Sequence, residues 1–279
     1  MILFIVNPIS GYGNKTGVVS RLKKQDCRVV YTEYAGHAEK LAREAEEDIV
    51  VAVGGDGTVN EVARGLIGTR KKLGIIPRGS GDGLALHLGL SHDLNRSLRT
   101  IEAGKTRYLD AGVVNGRYFF SVCGVGLDAI VSERFAKSGR RGLPSYIDQA
   151  ILTWKDHEAQ HFVLTVDGKV IEHDAVMVTI GNSDRWGHGA RVTPLADSSD
   201  GILDITVVED FKDIDIPMLA FRLMNGTVNM APNIHCYKGR EITIKRPASG
   251  PAHADGDWFE AGETLEVRIL EHALKVIVP

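Results

Sequence analysis

The sequence predicts an α/β domain with a mostly parallel sheet, followed by a mainly antiparallel β-sandwich domain. Up to about Gly112, short apolar runs alternate with helical patterns, which is typical of a parallel sheet with helices on its faces. Beyond that residue strand patterns dominate, and the pair Asp167-Gly168 between two of them is a type I′ hairpin signal. With 279 residues, the chain is long enough for two domains.

The spacing of apolar residues places the elements of the first domain, residues 1–112. In order we predict strand 2–6, helix 15–24, strand 27–31, helix 36–46, strand 49–53, helix 59–66 and strand 73–76. The strands are short and continuously apolar, as expected for strands that are buried on both faces of a parallel sheet.

The second domain, residues 113–273, is predicted to be rich in strands. Its strand patterns cover residues 118–123, 161–166, 170–180, 203–208, 241–245 and 265–270. Apolar residues recur at helical spacing near residues 145–158 and 214–224. The last strand, within residues 274–279, is expected to pack back on the first domain.

Composition excludes several classes of protein. A net charge of −3 gives no electrostatic footprint for nucleic acid. Three cysteines, Cys27, Cys123 and Cys236, are too far apart for a Cys-x-x-Cys zinc site and too few for a disulfide framework, which favours a reducing cytoplasm. The apolar start is too short for a signal peptide, and no apolar run approaches about 18 residues. We therefore expect a cytoplasmic protein that is soluble or peripheral to a membrane.

The most informative motif is Gly54-Gly55-Asp56-Gly57-Thr58, which lies between a predicted strand and a predicted helix. A helix start offers unpaired backbone N–H groups and a favourable dipole to an anion, and glycines let a phosphate approach the main chain. Thr58 is also a candidate N-cap. Among such amides, Asp56 is suited to face a metal ion or an acceptor hydroxyl that loses a proton. This pattern favours phosphoryl transfer, although a plain tight turn also favours Gly and Asp.

This motif resembles the signature of the lipid kinase superfamily of diacylglycerol, sphingosine and ceramide kinases. NAD kinases share it, and phosphofructokinases do so less closely. Asn7-Pro8-Ile9-Ser10-Gly11 resembles the Asn-Pro-x-Ser-Gly loop of lipid kinases, and the segment 32–38 resembles their Thr-x-x-x-Gly-His-Ala element. The segment 77–85 resembles their third nucleotide loop, but it has Asp82 where the relatives have Asn, and Gly83 where diacylglycerol kinases have Asp.

Two segments of the second half are similar to acceptor and catalytic elements of the same family. Gly124-Val125-Gly126-Leu127-Asp128 resembles the Gly-x-x-x-Asp element of the acceptor site, and it also fits the weaker dinucleotide pattern Gly-x-Gly-x-x-Ala. A basic run that includes Arg141 follows, which suits phosphates or an anionic bilayer but is also typical of a solvated surface. Asp255-Gly256-Asp257 resembles the Asp-Gly-Glu element, with Asp257 in the position of the catalytic base.

The segment 194–204 resembles a Pro-x-Ala-x-x-x-Asp-Gly-x-Leu-Asp loop that holds a structural magnesium in relatives. Its carboxylates, Asp197 and Asp200, are hard oxygen ligands of the kind that Mg²⁺ prefers. Without the resemblance, an acidic turn is the simpler interpretation.

Taken together, the resemblance implies an ATP- and Mg²⁺-dependent lipid kinase. Its implied catalytic residues are Asp56 and Asp257, and its substrate-binding residues are Asp82, Asp128 and Arg141. The implied nucleotide-binding residues are Asn7, Ser10, Gly11, Thr32, Gly54, Gly55, Gly57, Thr58, Gly79, Ser80, Gly81, Asp255 and Gly256. Expected partners are a lipid, the inner membrane surface and, in a possible homodimer, a second copy. The alternatives are an NAD kinase-like phosphotransferase and a nucleotide-binding protein that has lost catalysis.

Overall fold

A computed structural model describes residues 1–10, 27–139, 149–150, 152–154 and 158–279. The described chain divides into two compact units, Met1–Leu109 with Glu271–Pro279, and Asp110–Leu270. We call them unit 1 and unit 2. The predicted helix 15–24 and most of the segment 145–158 lie outside the described residues, as do Gly11 and Arg141.

Unit 1 is built on parallel strands. These are β1 (Ile2–Val6), β2 (Cys27–Tyr31), β3 (Ile49–Gly54) and β4 (Lys72–Pro77), and its helices are α1 (His37–Arg43), α2 (Asp56–Leu66), α3 (Gly83–His87) and α4 (Leu94–Ala103). The strand order is β2-β1-β3-β4, and Lys275 and Val276 of the final strand pair in parallel with β4. Phe4, Val51 and Ile76 are fully buried, as expected for strands covered on both faces.

The strand order contains a topological switch point. From β1 the chain proceeds to β2 on one side of it, and later returns to β3 on its other side. In open α/β sheets, ligands bind outside the carboxyl ends of the strands at such a point. The order of strands therefore selects the edge beyond Val6 and Gly54 as the place for a ligand.

Unit 2 is dominated by antiparallel strands. In chain order they are β5 (Thr106–Val114), which begins in unit 1, β6 (Arg117–Phe119), β7 (Val122–Gly126), β8 (Gln160–Val166), β9 (Lys169–Gly181), β10 (Leu203–Glu209), β11 (Ile234–Gly239), β12 (Glu241–Lys245), β13 (Gly250–Ala254), β14 (Asp257–Ala261) and β15 (Thr264–Ile277), which ends in unit 1. The helices of unit 2 whose bounds are described are α5 (Leu127–Ser138) and α6 (Ile216–Asn225), with 3-10 turns at Asp213–Asp215 and Val228–Met230; residues 149–150 and 152–154 are also helical. The predicted fold class is thus confirmed.

Several local predictions need correction. Helix α2 begins at Asp56 rather than at residue 59, and its N-cap is Gly55 with no side-chain cap, so Thr58 lies inside the helix and is not the N-cap. The predicted strand 118–123 is two strands with a break at Phe120 and Ser121. The strands predicted at 265–270 and 274–278 are one continuous strand, in which His272 adopts a left-handed φ of 52°.

The Asp167-Gly168 hairpin is confirmed. Both residues have positive φ, 47° and 82°, and Val166 pairs directly with Lys169, which is the geometry of a type I′ turn.

Candidate functional site

The loops that follow the parallel strands of unit 1 meet at one edge of its sheet. Val6 pairs with both Tyr31 and Val53, and Gly54 pairs with Pro77, so the four strands end level with one another. The loops beyond them begin with Asn7, Thr32, Gly55 and Arg78. The sheet therefore brings together the three loops that the sequence singled out, together with the Thr32 segment.

Asn7 ties the first loop to helix α2 across the switch point. Its Nδ2 donates to Oγ1 of Thr58 at 3.0 Å, and its Oδ1 accepts from the backbone N of Ile9 at 3.1 Å. Ser10 donates its Oγ hydrogen to the carbonyl oxygen of Asn7 at 3.3 Å. Asn7 and Ser10 thus stabilise the first loop internally, and the hydrogen bond from Asn7 to Thr58 attaches that loop to helix α2.

Close contacts explain why glycine occupies positions 54 and 55 of the second loop and position 79 of the third loop. A Cβ at Gly54 would lie 2.5 Å from Oγ1 of Thr58, and one at Gly79 would lie 2.6 Å from the Cα of Gly55. A Cβ at Gly55 would lie 3.0 Å from the Cα of Gly79. The two loops therefore touch main chain to main chain, whereas Gly57 has no neighbouring atom within 4 Å of its Cβ position.

Asp56 connects the same two loops through its carboxylate. It occupies the first turn of α2, where the helix dipole favours a negative charge, and it is half-buried. Its Oδ1 accepts from the backbone N of Gly83 at 2.7 Å. Gly83 is the first residue of helix α3, so Asp56 accepts from an amide that begins that helix.

Asp82 holds the third loop from within. Its side chain is 1% exposed, the backbone N of Gly79 donates to both of its oxygens at 3.0 Å, and Nε2 of His92 lies 2.9 Å from Oδ2. Burial raises the pKa of Asp82, and the His92 and Gly79 contacts oppose that rise. These contacts favour a loop-shaping role over the predicted substrate contact, and they leave Ser80 exposed at the tip of the loop.

A buried polar cluster surrounds Asp128 in unit 2. Oδ2 of Asp128 accepts from Oγ1 of Thr179 at 2.6 Å and lies 3.1 Å from Nε2 of His253. A Cβ at Gly124 would lie 2.3 Å from that oxygen. The Gly-x-x-x-Asp spacing therefore has a steric origin, because a glycine in β7 leaves room for a carboxylate from the first turn of α5.

The same contacts bear on the predicted role of Asp128. Its side chain is 2% exposed and that of His253 is 3% exposed, so the geometry favours a structural role over direct substrate contact. Sequence reasoning missed Thr179 and His253, which are 51 and 125 residues away from Asp128 along the chain.

Asp255 lies in the turn of the β13–β14 hairpin, and its side chain accepts hydrogen bonds where the chain passes from β6 to β7. Its carboxylate accepts from the backbone N of Phe120, Ser121 and Val122 at 2.8, 2.8 and 3.0 Å. The carboxyl group is enclosed although the residue as a whole is half-buried, and this burial raises its pKa from 3.8 to about 6 against the effect of the three amides. Asp255 is thereby occupied by the main chain of unit 2, which favours an anchoring role over the predicted nucleotide contact.

Gly256 and Asp257 complete that hairpin. Asp255 and Gly256 have positive φ of 51° and 85°, and Ala254 pairs with Asp257, as in a two-residue type I′ turn. Asp257 is exposed at the start of β14. Of the two carboxylates in this motif, that of Asp257 is therefore the one exposed to solvent.

The loop with Asp197 and Asp200 is made of tight acidic turns. Oδ1 of Asp197 accepts from the backbone N of Ser199, and Oδ1 of Asp200 accepts from the backbone N of Ile202, each at 3.1 Å. Both aspartates are exposed, and their oxygen donors suit a hard cation. Within the described residues, neither carboxylate belongs to a group of three His, Cys, Asp or Glu ligands, so a bound Mg²⁺ here would need backbone carbonyls or water as further ligands.

Comparisons with known proteins match both parts of the chain. Residues 1–114 match the diacylglycerol kinase catalytic domain family, and residues 121–278 match the YegS C-terminal NAD kinase β-sandwich-like domain family. A diacylglycerol kinase from Mycobacterium tuberculosis is 28% identical over 292 aligned residues, which cover 99% of this chain and 94% of that protein.

Solved structures support the same relationship. A candidate diacylglycerol kinase from Bacillus anthracis has a TM-score of 0.81 at 25% identity, covering 100% of this chain and 97% of that chain. An NAD kinase from Archaeoglobus fulgidus, solved in complex with ATP, has a TM-score of 0.59 at 11% identity, covering 99% of this chain and 93% of that chain. The second likeness shows the fold alone.

Proposed function

We propose, from the premise that this chain belongs to the family of diacylglycerol kinases and YegS-like lipid kinases, that it transfers the γ-phosphoryl group of ATP to a lipid hydroxyl. The observation that carries the proposal is the meeting of three glycine-containing loops at the carboxyl edge of the parallel sheet of unit 1. The main chains of the second and third loops touch, and together with the start of helix α2 they offer backbone amides to phosphate oxygens.

Nucleotide binding is assigned to this edge of unit 1. Gly54, Gly55 and Gly79 leave no side chain between the backbone and a phosphate, and exposed Ser80 adds a hydroxyl at the tip of the third loop. Asn7 keeps Thr58 and the first loop in place through its amide. Catalysis of this kind depends mainly on positioning and charge neutralisation.

Asp56 is the proposed proton acceptor or orienting group for the lipid hydroxyl. In the reaction, the hydroxyl oxygen forms a bond to the γ-phosphorus, the bond from that phosphorus to the bridging oxygen breaks, ADP leaves, and the hydroxyl proton passes to a carboxylate. The Gly83 amide fixes one oxygen of Asp56 at 2.7 Å and so sets the direction of the side chain. Asp257 is the second candidate for the carboxylate, because it is exposed at the end of its hairpin.

Magnesium is the metal that this chemistry calls for. When bound to the nucleotide, Mg²⁺ neutralises the negative charge that the phosphates carry. We assign Asp197 and Asp200 to a separate structural Mg²⁺, because they place exposed carboxylates on one tight loop. The loop itself is supported by the carboxylate of Asp110, which accepts from the backbone N of Gly201 at 2.9 Å.

Contact with a lipid surface is assigned to helix α6. Met218, Phe221 and Met224 are 56%, 62% and 58% exposed, and Ile214, just before the helix, is 82% exposed. Met218, Phe221 and Met224 are three residues apart and lie along one face of the helix, and Ile214 lies in the 3-10 turn before it. No helix within the described ranges is long and apolar enough to cross a membrane. Because the proposed acceptor is a lipid, we propose that this face contacts a bilayer peripherally.

The experiment that tests the activity follows labelled phosphate from [γ-³²P]ATP. With Mg²⁺ and diacylglycerol, sphingosine, ceramide, monoacylglycerol or phosphatidylglycerol, label should enter the organic phase with one of these lipids. Label transferred only to a soluble acceptor would favour an NAD kinase-like enzyme, and nucleotide binding without turnover would favour a silenced protein. In vesicle sedimentation, Phe221→Ser should lower the bound fraction, while Val170→Ser, which changes an equally exposed residue on β9, should not.

Asp56→Asn tests the carboxylate in the same assay. The amide keeps the size of the side chain but cannot accept the proton, so turnover should fall by about 10² or more while nucleotide affinity stays nearly unchanged. The matched control is Asp48→Asn, because Asp48 is exposed and directly precedes β3, whereas Asp56 follows the other end of that strand. Equal turnover in Asp56→Asn and in wild type would remove Asp56 from the mechanism.

A further inference from the structure

Three neighbouring strands of unit 2 bring two histidines and a glutamate together. His173 lies in β9, Glu209 ends β10 and His235 lies in β11. One ligand atom from each residue lies within 4.8 Å of the others, and the described parts of the chain contain no second group of this kind. None of these residues belongs to the motifs on which the proposed kinase activity depends.

A β-bulge creates the arrangement. The register of β10 against β9 shifts after Val208, which pairs with Met177, so that Glu209 pairs with Ala175. Directly opposed residues share a face of the sheet, and so do residues two apart along a strand. The shift therefore places Glu209 on the face of His173, whereas an unshifted strand would place it on the opposite face.

The other side of β10 is in regular register. Val207 pairs with His235, and Glu209, two residues after Val207, shares the face of that histidine. The bulge thus brings the glutamate within reach of both imidazole rings, whose centroids lie 4.6 Å apart.

The ligand atoms are already close to the separation that a metal ion requires. Oε1 of Glu209 lies 2.9 Å from Nδ1 of His173 and 3.0 Å from Nε2 of His235. In a tetrahedral site with bonds of about 2.0–2.1 Å, two ligand atoms are about 3.3 Å apart. One carboxylate oxygen, Oε1 of Glu209, thus lies at ion-pair distance from a ring nitrogen of both histidines.

Tyr237 supports His173 from the other side of its ring. The tyrosine hydroxyl lies 2.8 Å from Nε2 of His173, while Nδ1 of the same ring points at Glu209. Histidines that bind metals commonly use their second nitrogen in this way, because the outer hydrogen bond fixes the tautomer and the ring orientation.

We propose that His173, Glu209 and His235 bind a divalent transition metal ion with the preferences of Zn²⁺. Two imidazoles and one carboxylate suit zinc, whereas Mg²⁺ and Ca²⁺ prefer oxygen ligands throughout. The side chains of Glu209 and His235 are each 37% exposed, so the ion can enter from solvent and a fourth position can hold water. The ion would link β9, β10 and β11 and thereby stabilise unit 2. The site does not depend on the proposed kinase activity.

The experiment titrates the full-length, chelator-treated protein with Zn²⁺ by calorimetry and with Co²⁺ by visible absorption. Wild type should bind one equivalent of Zn²⁺ and give the d–d absorption of four-coordinate Co²⁺. Glu209→Gln and His235→Gln should each weaken Zn²⁺ binding by at least about tenfold and remove the Co²⁺ spectrum, since each removes a ligand. Zn²⁺ should also raise the unfolding temperature of wild type more than that of either variant.

His161→Gln is the matched control. Nδ1 of His161 lies 2.9 Å from Asp174 and Nε2 lies 3.8 Å from Glu172. His161 is therefore a histidine of β8 that faces two carboxylates of β9 but, among the residues that the structure describes, belongs to no group of three ligands. This variant should bind Zn²⁺ as wild type does.

Tyr237→Phe removes only the hydroxyl group and leaves the three proposed ligands in place. It therefore still tests the site if a variant of one of the ligands does not fold. It should weaken Zn²⁺ binding by about 10- to 100-fold through the loss of the outer hydrogen bond. A wild type that binds no stoichiometric Zn²⁺, or binding that is equal in wild type, Tyr237→Phe and any folded ligand variant, would overturn the proposal. The cluster would then be a cross-strand ion pair.

Discussion

The contact between the second and third loops can be tested by adding one methyl group. In Gly79→Ala the new Cβ would lie 2.6 Å from the Cα of Gly55 and 2.6 Å from Oδ1 of Asp82. A backbone atom cannot swing away as the end of a flexible side chain can, so at least one loop must shift by several tenths of an ångström. Overpacking of this kind costs about 1–3 kcal/mol. Displacement of Asp82 would also weaken its two contacts with the Gly79 amide.

Gly57→Ala provides the matched control with the opposite expected sign. Position 57 lies in the same motif and in helix α2, where no atom lies within 4 Å of a built Cβ. Alanine in a helix is more stable than glycine by up to about 1 kcal/mol. The free energy of unfolding should therefore rise for Gly57→Ala and fall for Gly79→Ala.

The assay is urea unfolding followed by circular dichroism at constant pH and without nucleotide. Wild type and the two variants are compared through their midpoints at a common slope. If Gly79→Ala lies within about 0.5 kcal/mol of wild type, the range usual for surface substitutions, or if both variants shift in the same direction, the close contact between the loops is refuted.

Three further predictions concern carboxylates. Asp257→Ala should abolish lipid phosphorylation while Asp257→Glu retains a substantial part of it, since the family motif has Glu at this position; initial rates measure both. Asp200→Ala should remove the increase in unfolding temperature that Mg²⁺ gives wild type, because the loop loses an oxygen ligand. Asp255 has a pKa raised from 3.8 to about 6 by burial, so its contribution to stability is fully present below about pH 4 and is lost as pH rises through about 6. Asp255→Asn should lack that decline in the free energy of unfolding.

Each of these has an outcome that contradicts it. Full activity of Asp257→Ala would place the base elsewhere, with Asp56 as the remaining candidate. The same Mg²⁺ response in Asp200→Ala and wild type would show that the loop is only a turn. For Asp255, parallel pH profiles of the wild type and Asp255→Asn between pH 4 and 7 would show that burial does not control this carboxyl group.

The sequence predicted the fold and the glycine motifs because both depend on local patterns. Alternating strand and helix patterns predicted the parallel sheet, and Asp167-Gly168 predicted its hairpin. Asp255-Gly256 carries the same two residues and forms the same turn with positive φ at both positions. That turn was not predicted because the segment was interpreted through its carboxylates rather than through its backbone requirements.

Contacts across strands could not be predicted from spacing. His92, Thr179 and His253 each contact an aspartate singled out in the sequence, but which residue lies beside which depends on register. The cluster of His173, Glu209 and His235 depends on a bulge that no local pattern indicates. The continuous final strand was also divided in the prediction, since the polar Glu271 and His272 resemble a turn.

The contact between Gly55 and Gly79 limits which substitutions the second and third loops can accept. With their main chains touching and the Asp56 carboxylate holding the Gly83 amide, neither loop can accept a larger residue unless the other withdraws. A larger residue at either glycine therefore requires a compensating change in the facing loop. The same contacts hold the loops in shape without a ligand, so a nucleotide bound at this proposed phosphate site would spend little free energy on ordering them.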